Sequence, residues 1–211
     1  MKLTGAAASG DINKVRELID AGADINQQDE YSLAALHYAS RNGHLEIARL
    51  LIKGEADINI QSNLGWTPLH LASREGYLEV AQLLVDNGAN INTQTNLGST
   101  ALHFASYQSH LENVKLLVEE GANLNLTDHK GRTALHWASR KGHLEIIQFL
   151  IQSGSELDQY IIKKYAKPLS QEIIDNINRT KQWKMIKYLP KKLQKQFPSQ
   201  IVKASQLGLY N

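Results

Sequence analysis

The chain is 211 residues long, 42% hydrophobic and 21% charged, with a net charge of +2 at neutral pH. That composition suits one soluble globular or repeat domain with an appendage and argues against intrinsic disorder. No apolar run approaches the ~20 residues needed to cross a bilayer, residues 1–6 hold no apolar core of an export signal, and cysteine is absent, which leaves no disulfide or thiolate metal site and fits a reducing cytosol.

The small net charge hides a division. Residues 1–159 carry 12 Lys and Arg against 19 Asp and Glu, a net −7, whereas residues 160–211 carry 11 Lys and Arg against only Glu172 and Asp175, a net +9. All eight histidines lie in the acidic part. The asymmetry predicts two parts with different tasks, meeting near residue 160.

From the N-terminus onward, one pattern returns every 33 residues: Leu3, Leu36, Leu69, Leu102 and Leu135. Histidine follows the last four as His37, His70, His103 and His136. Alanine stands at Ala6, Ala39, Ala72, Ala105 and Ala138. A turn residue comes next, Gly43, Gly76, Ser109 or Gly142, and each unit closes on an asparagine: Asn26, Asn59, Asn92 or Asn125. Self-similarity at this period marks a repeat array. Within one unit, Thr67-Pro68-Leu69-His70 predicts a helix start, with threonine as cap and proline in the first turn. Leu78, Val80, Ala81, Leu83 and Leu84 predict a second helix with a broad apolar stripe, closed by Gly88. The stretch from Asn90 to Gly98 reads as an extended loop into the next unit. One helix pair cannot bury its own apolar faces, so the units must stack.

These residues resemble the ankyrin repeat family over residues 3–158; Gly65-Trp66-Thr67-Pro68-Leu69-His70 and Gly88-Ala89-Asn90-Ile91-Asn92 lie close to its pattern. The resemblance implies an all-α repeat solenoid: an L-shaped array of antiparallel helix pairs with β-hairpin-like fingers. The expected division is an N-terminal capping repeat over 1–28, four repeats over 29–61, 62–94, 95–127 and 128–159, and a basic helical extension over 160–211. Four departures from the pattern are expected to matter. Ser32-Leu33-Ala34-Ala35-Leu36 lacks the glycine, threonine and proline of its fellows. Glu55 stands where glycine is wanted, after Gly54, so that cap should be shifted or strained. Asn113 fills a slot held elsewhere by Ile47, Val80 and Ile146, where it is expected either to be locally satisfied or to face an opening, and Ser109 replaces a turn glycine.

At the ends, Lys14 and Glu17 supply the polar face a terminal repeat needs, but Ile146, Ile147, Phe149, Leu150 and Ile151 do not. The tail is expected to dock there. Ser170-Gln171-Glu172 reads as a helix start, and Ile173, Ile174, Ile177, Trp183, Ile186 and Leu189 predict the apolar face of one helix ending at Pro190. A further short helix is expected near 199–207. Lysines 181, 184, 187, 191, 192 and 195 form a basic run: either a solvated outer face or a surface for an acidic partner, lipid headgroups or nucleic acid. Leu189-Pro190 also resembles, over a few residues, the F-box-like segment of some ankyrin proteins of poxviruses and intracellular bacteria, which recruits ubiquitin ligase machinery.

Nothing reads as an active site: there is no His-Glu-x-x-His pair, phosphate loop or nucleophile elbow, and no cofactor or metal is expected. The resemblance implies that the repeated histidines bond neighbouring loops and that a protein partner is held on fingertips and inner helices. The fingertip candidates are Tyr31 and Leu33, Leu64 and Trp66, Leu97 and Ser99, and Lys130 and Arg132. Those of the inner helices are Arg41 and Asn42, Arg74 and Glu75, Tyr107 and Gln108, and Arg140 and Lys141. Exposed Trp, Tyr and Arg are the types enriched in binding hot spots; alternatively Trp66 and Tyr31 only pack on the neighbouring finger. The expectation is a monomeric, non-enzymatic scaffold in the cytoplasm, in a host cytosol if it is a bacterial effector. In some ankyrin proteins the asparagines matching Asn59, Asn92 and Asn125 are hydroxylated.

Overall fold

The computed structural model describes residues 2–180 and 182–197. The helix expected near 199–207, and the side chains of Lys181, Trp183 and Lys184, lie outside the described residues. The chain forms two compact units, Met1–Ala134 and Leu135–Asn211.

The first unit is a run of helix pairs: α1 (Leu3–Ser9) with α2 (Ile12–Asp20), α3 (Ala35–Asn42) with α4 (Leu45–Lys53), α5 (Pro68–Glu75) with α6 (Leu78–Asp86), and α7 (Ala101–Gln108) with α8 (Leu111–Glu119). Helices α1, α3, α5 and α7 pack in one row, and α2, α4, α6 and α8 in a second. Leu36, Leu69 and Leu102 of the first row and Leu51, Leu84 and Leu117 of the second are fully buried between them. Alanines 39, 72 and 105, also buried, let the first-row backbones approach. Local chemistry sets the ends. Thr67 caps α5, Pro68 occupies its first turn, and Gly76 closes it in the left-handed region. At Gly43 and Gly76 an added Cβ would come 2.5 Å from the Tyr77 and His110 rings, so the turn admits no side chain there.

The fingers are turns rather than strands among the described residues. In each, the residue at position 29, 62, 95 or 128 donates its N–H to the carbonyl four residues on, at 2.9–3.0 Å. Its side chain accepts from the turn: Asp29 from Tyr31 and Leu33, Ser62 from Leu64 and Trp66, Thr95 from Ser99, Asp128 from Lys130 and Arg132. One such bond per finger is too few for a ladder.

The departures from the repeat pattern leave visible strain. Ser32, Glu55 and Ser109 are the described non-glycine residues with positive φ, at 57°, 64° and 67°. Each stands where other repeats place glycine in the same conformation, as at Gly65, Gly88 and Gly76. Gly54 cannot take the load: its own φ is −85°, and an added Cβ there would meet Ile25 at 2.7 Å. A left-handed non-glycine residue costs about 1–2 kcal/mol, against ~0.5–1 kcal/mol for the extra freedom glycine loses on folding. Glu55→Gly should therefore stabilise the fold by up to about 1 kcal/mol, read as a higher urea midpoint with an unchanged slope.

Asn113 is 2% exposed, and its Nδ2 has no partner. Leaving a buried donor unsatisfied costs ~1–3 kcal/mol, and Val80 fills the same slot one repeat earlier. Asn113→Val should raise stability by about 1–2 kcal/mol in the same unfolding measurement.

In the second unit α9 (Ala134–Lys141) and α10 (Leu144–Gln152) are followed by α11 (Gln159–Tyr165), α12 (Ser170–Thr180), a 3-10 helix (Trp183–Tyr188) and the one-turn α13 (Lys191–Gln194). Helix α12 packs along α10. Asn176 Nδ2 donates to Ile151 O (2.7 Å) and Ser155 O (3.0 Å), Arg179 donates to Ile151 O (3.1 Å), and Gln148 donates to Glu172 (2.9 Å). Ile151 is fully buried, whereas its counterparts Ile52, Val85 and Val118 are half-exposed. The expected single helix from Ser170 to Pro190 is corrected here: it ends at Thr180, whose hydroxyl bonds back to Asn176 O (2.8 Å). The chain breaks because Gln182 is drawn aside to accept from the Leu157 N–H (3.0 Å). The apolar pattern persists across the break, since Ile173, Ile174, Ile177, Ile186, Leu189 and Phe197 are all buried.

Candidate binding surface

The repeated polar residues tie repeat to repeat. His37, His70 and His103 are buried. Each Nδ1 accepts the N–H of its helix cap, Ala34, Thr67 or Thr100, at 3.0–3.1 Å. A ring nitrogen that accepts carries no proton, so Nε2 does. It donates to the next repeat: His37 to Trp66 O (2.9 Å), His70 to Ser99 O (3.2 Å) and also to Thr93 O at the end of its own repeat (3.1 Å), His103 to Arg132 O (2.9 Å). Burial pushes His37 below the ordinary histidine range and His70 down to about 4. In the second unit the ring of His136 instead meets a carboxylate, Asp158 Oδ2, at 3.0 Å, and Asp158 also caps α11. A second ladder uses asparagine: Asn26, Asn59 and Asn92 accept the N–H groups of Asp57, Asn90 and Asn123 at 2.7–2.8 Å. Asn59 and Asn92 also donate to Gly88 O and Gly121 O. These residues hold one repeat to the next.

What remains exposed is a surface. Tyr31, Leu64 and Leu97 occupy one address on three successive fingertips and are 59%, 63% and 71% exposed. The fingertips are joined by backbone bonds, Asn63 N–H to Tyr31 O and Asn96 N–H to Leu64 O, so the three side chains stand in fixed register. Beside them Trp66 stacks on Phe104 of α7, ring centroids 4.3 Å apart and planes 30° apart, and meets His70 edge-on. The Arg74 guanidinium lies over the same indole at 5.4 Å and pairs with Glu75 at 3.6 Å. Trp66 thus packs on an inner helix of the next repeat rather than on the neighbouring finger. Phe104 belongs to the surface, and so does Tyr38, whose hydroxyl donates to Asp29 (2.6 Å) and is held up at about 12 by that carboxylate. Neither is among the residues expected from the sequence, whose one signal for them is the aromatic address shared by Tyr38, Phe104 and Trp137.

Several expected surface residues are used internally. Ser99 is 3% exposed and is corrected here: its N–H and carbonyl serve Thr95 and His70. Asn42 donates to Ala8 O (2.8 Å), tying α3 to the first repeat. Arg132 folds back onto the buried Asp128 at 2.6 Å, so of the expected basic fingertip only Lys130 projects freely. Leu33 and Tyr107 are half-buried, Arg41 and Gln108 exposed; in the second unit Arg140 and Lys141 are exposed. Leu189 of the Leu-Pro pair is buried and its carbonyl accepts from Gln194, so that leucine is core.

A stack of helix pairs bonded through loop carbonyls, with side chains displayed at repeated addresses, defines a repeat solenoid of the kind that serves protein–protein interaction. The family model for ankyrin repeats (3 copies) matches residues 3–95 and 92–161, and the chain belongs to that family, which is generally non-enzymatic. No curated protein matches the chain. Among the described residues no helix is long and apolar enough to cross a membrane, and no group of three or more His, Cys, Asp or Glu is placed to hold a metal.

Proposed function

We propose that the chain is a non-enzymatic scaffold in a reducing cytosol, gripping a protein partner across the fingertips and inner helices of its first unit. The observation that supports this reading is the row Tyr31, Leu64 and Leu97. Three large apolar side chains at one address are left in water although the fold does not use them, and such contiguous patches mark interaction sites. Trp66, braced by Phe104 and Arg74, supplies the rigid aromatic anchor beside the row. Loss of a few such anchors removes most of an interface's binding energy.

The test is capture from eukaryotic cytosol with mass spectrometry, comparing the full chain with a Tyr31→Ser, Leu64→Ser, Leu97→Ser variant. Because all three side chains are mostly exposed, the variant should keep its circular dichroism and melting temperature. It should lose its partner, with binding weakened a hundredfold or more if each residue contributes ~1 kcal/mol. A partner held equally by both chains would refute the fingertip surface.

A further inference from the structure

The second unit carries a surface that the repeat array does not explain. After Asp175 the sequence contains no acidic residue, yet it holds seven lysines and one arginine. Folding buries Ile177, Ile186, Leu189 and Phe197 and leaves Lys187, Lys191, Lys192 and Lys195 exposed on and around the 3-10 helix and α13. None of the four has an ion pair among the described residues. The carboxylates just before the stretch are engaged, Glu172 with Gln148 and Asp175 with Gln171. Other cations of the tail have structural tasks: Arg179 bonds Ile151 O, and Lys164 bonds Ser139 O (2.7 Å) and the Tyr160 hydroxyl (3.2 Å). A cap over the last repeat needs none of these four ammoniums.

We infer that this lysine face docks on an anionic phospholipid leaflet. The chemistry of the face selects among polyanions. A protein interface is built around large apolar anchors, and no described side chain of residues 161–197 is both large, apolar and exposed. A nucleic-acid surface needs aromatic platforms or guanidinium forks. Among the described aromatic residues of the tail, Tyr165 and Phe197 are buried, Tyr188 is half-buried with Lys187 over its ring at 5.3 Å, and the exposed Tyr160 stacks on His136 with Lys164 over its ring at 5.5 Å; Arg179 is spent on a carbonyl. Compact ammoniums on flexible stems, without fixed geometry, match a diffuse layer of headgroup charge.

The test is cosedimentation of the full chain with vesicles of phosphatidylcholine containing about 30 mol% phosphatidylserine, or none, in about 0.1 M and about 0.5 M salt. The chain should partition to the anionic vesicles at low salt only. Each lysine near such a surface is worth about fivefold in partitioning, so a Lys187→Gln, Lys191→Gln, Lys192→Gln, Lys195→Gln variant should bind several hundredfold more weakly. A matched change in net charge elsewhere, Lys2→Gln, Lys14→Gln, Lys53→Gln and Lys115→Gln, should leave partitioning within a few-fold of the original. Should the fourfold variant lose its circular dichroism, Lys191→Gln and Lys192→Gln taken singly must each show the fivefold step. Equal binding to neutral vesicles, no binding at all, or displacement from the vesicles by single-stranded RNA would overturn the assignment. The fingertip variant should bind vesicles as the original chain does, so either surface can fail without the other.

Discussion

A chain ending at residue 159 should aggregate, and the cause lies on α10. Ile151 is fully buried with α12 alongside, and its carbonyl takes bonds from Asn176 and Arg179. Deleting the tail leaves that carbonyl and Ser155 O to water and bares apolar surface that earlier repeats keep half-covered. It also discards the buried set of Ile161, Ile162, Leu169, Ile173, Ile174 and Ile177. At ~1.5–3 kcal/mol for each fully buried aliphatic side chain, even partial loss of the contacts they make costs the last repeat 5 kcal/mol or more, comparable to the whole stability of a small domain. Size-exclusion chromatography of the shortened chain should show aggregates, and hydrogen exchange across α9 and α10 should lose protection. A compensating change separates capping from general fragility. Ile151→Lys should improve solubility in the shortened chain, where the position faces water. In the full chain it should destabilise by several kcal/mol, because there it buries an unpaired charge. A monomeric shortened chain with intact protection in α10 would show that the tail is not a cap.

The repeats were legible because period and burial coincide. Leucine every 33 residues, alanine where backbones approach and glycine at the turns mark the helix pairs of the first unit with little ambiguity, and Glu55 and Ser109 stood out because they break the pattern. Their strain could be expected from sequence alone, since φ at those addresses is dictated by the repeat and not by the residue. What stayed hidden depends on contacts between distant residues. Nothing in the spacing says that Trp66 turns onto Phe104, that Ser99 is buried under His70, or that Arg132 folds back onto Asp128. The break after Thr180 was equally out of reach: the apolar pattern runs on through Ile186 and Leu189, and what interrupts the helix is a glutamine side chain recruited by Leu157. Asp158 shows the same limit in a useful form. The first three histidines of the ladder bond loop carbonyls, but His136 finds a carboxylate that also starts α11, so within the second unit one aspartate serves both α9 and the segment that follows.

That ladder sets the second large expectation, a loss of stability in mild acid. His37 and His70 are buried, neutral and fully bonded: each accepts at Nδ1 and donates from Nε2. A second proton would have to enter at Nδ1, against the cap N–H it already serves, without water to share the charge. Burial holds His70 at about 4 and His37 below its ordinary value, while both titrate near 6.5 in the unfolded chain. The folded pKa is the lower of the two, so between those values the unfolded state binds more protons and stability falls as pH falls. The contribution is complete above pH ~6.5 and is lost on the way down to about 4, where His70 alone accounts for about 3 kcal/mol. Urea unfolding at pH 7, 5.5 and 4.5 should show the decline beginning well above the range in which ordinary carboxylates titrate. His70→Gln should lower stability at pH 7 while flattening the curve over this window, because it removes the group that takes up the proton. A flat profile from pH 7 to 4.5 in the original chain would mean that the buried histidines are not neutral donors, and the bonds that stitch one repeat to the next would have to be drawn differently.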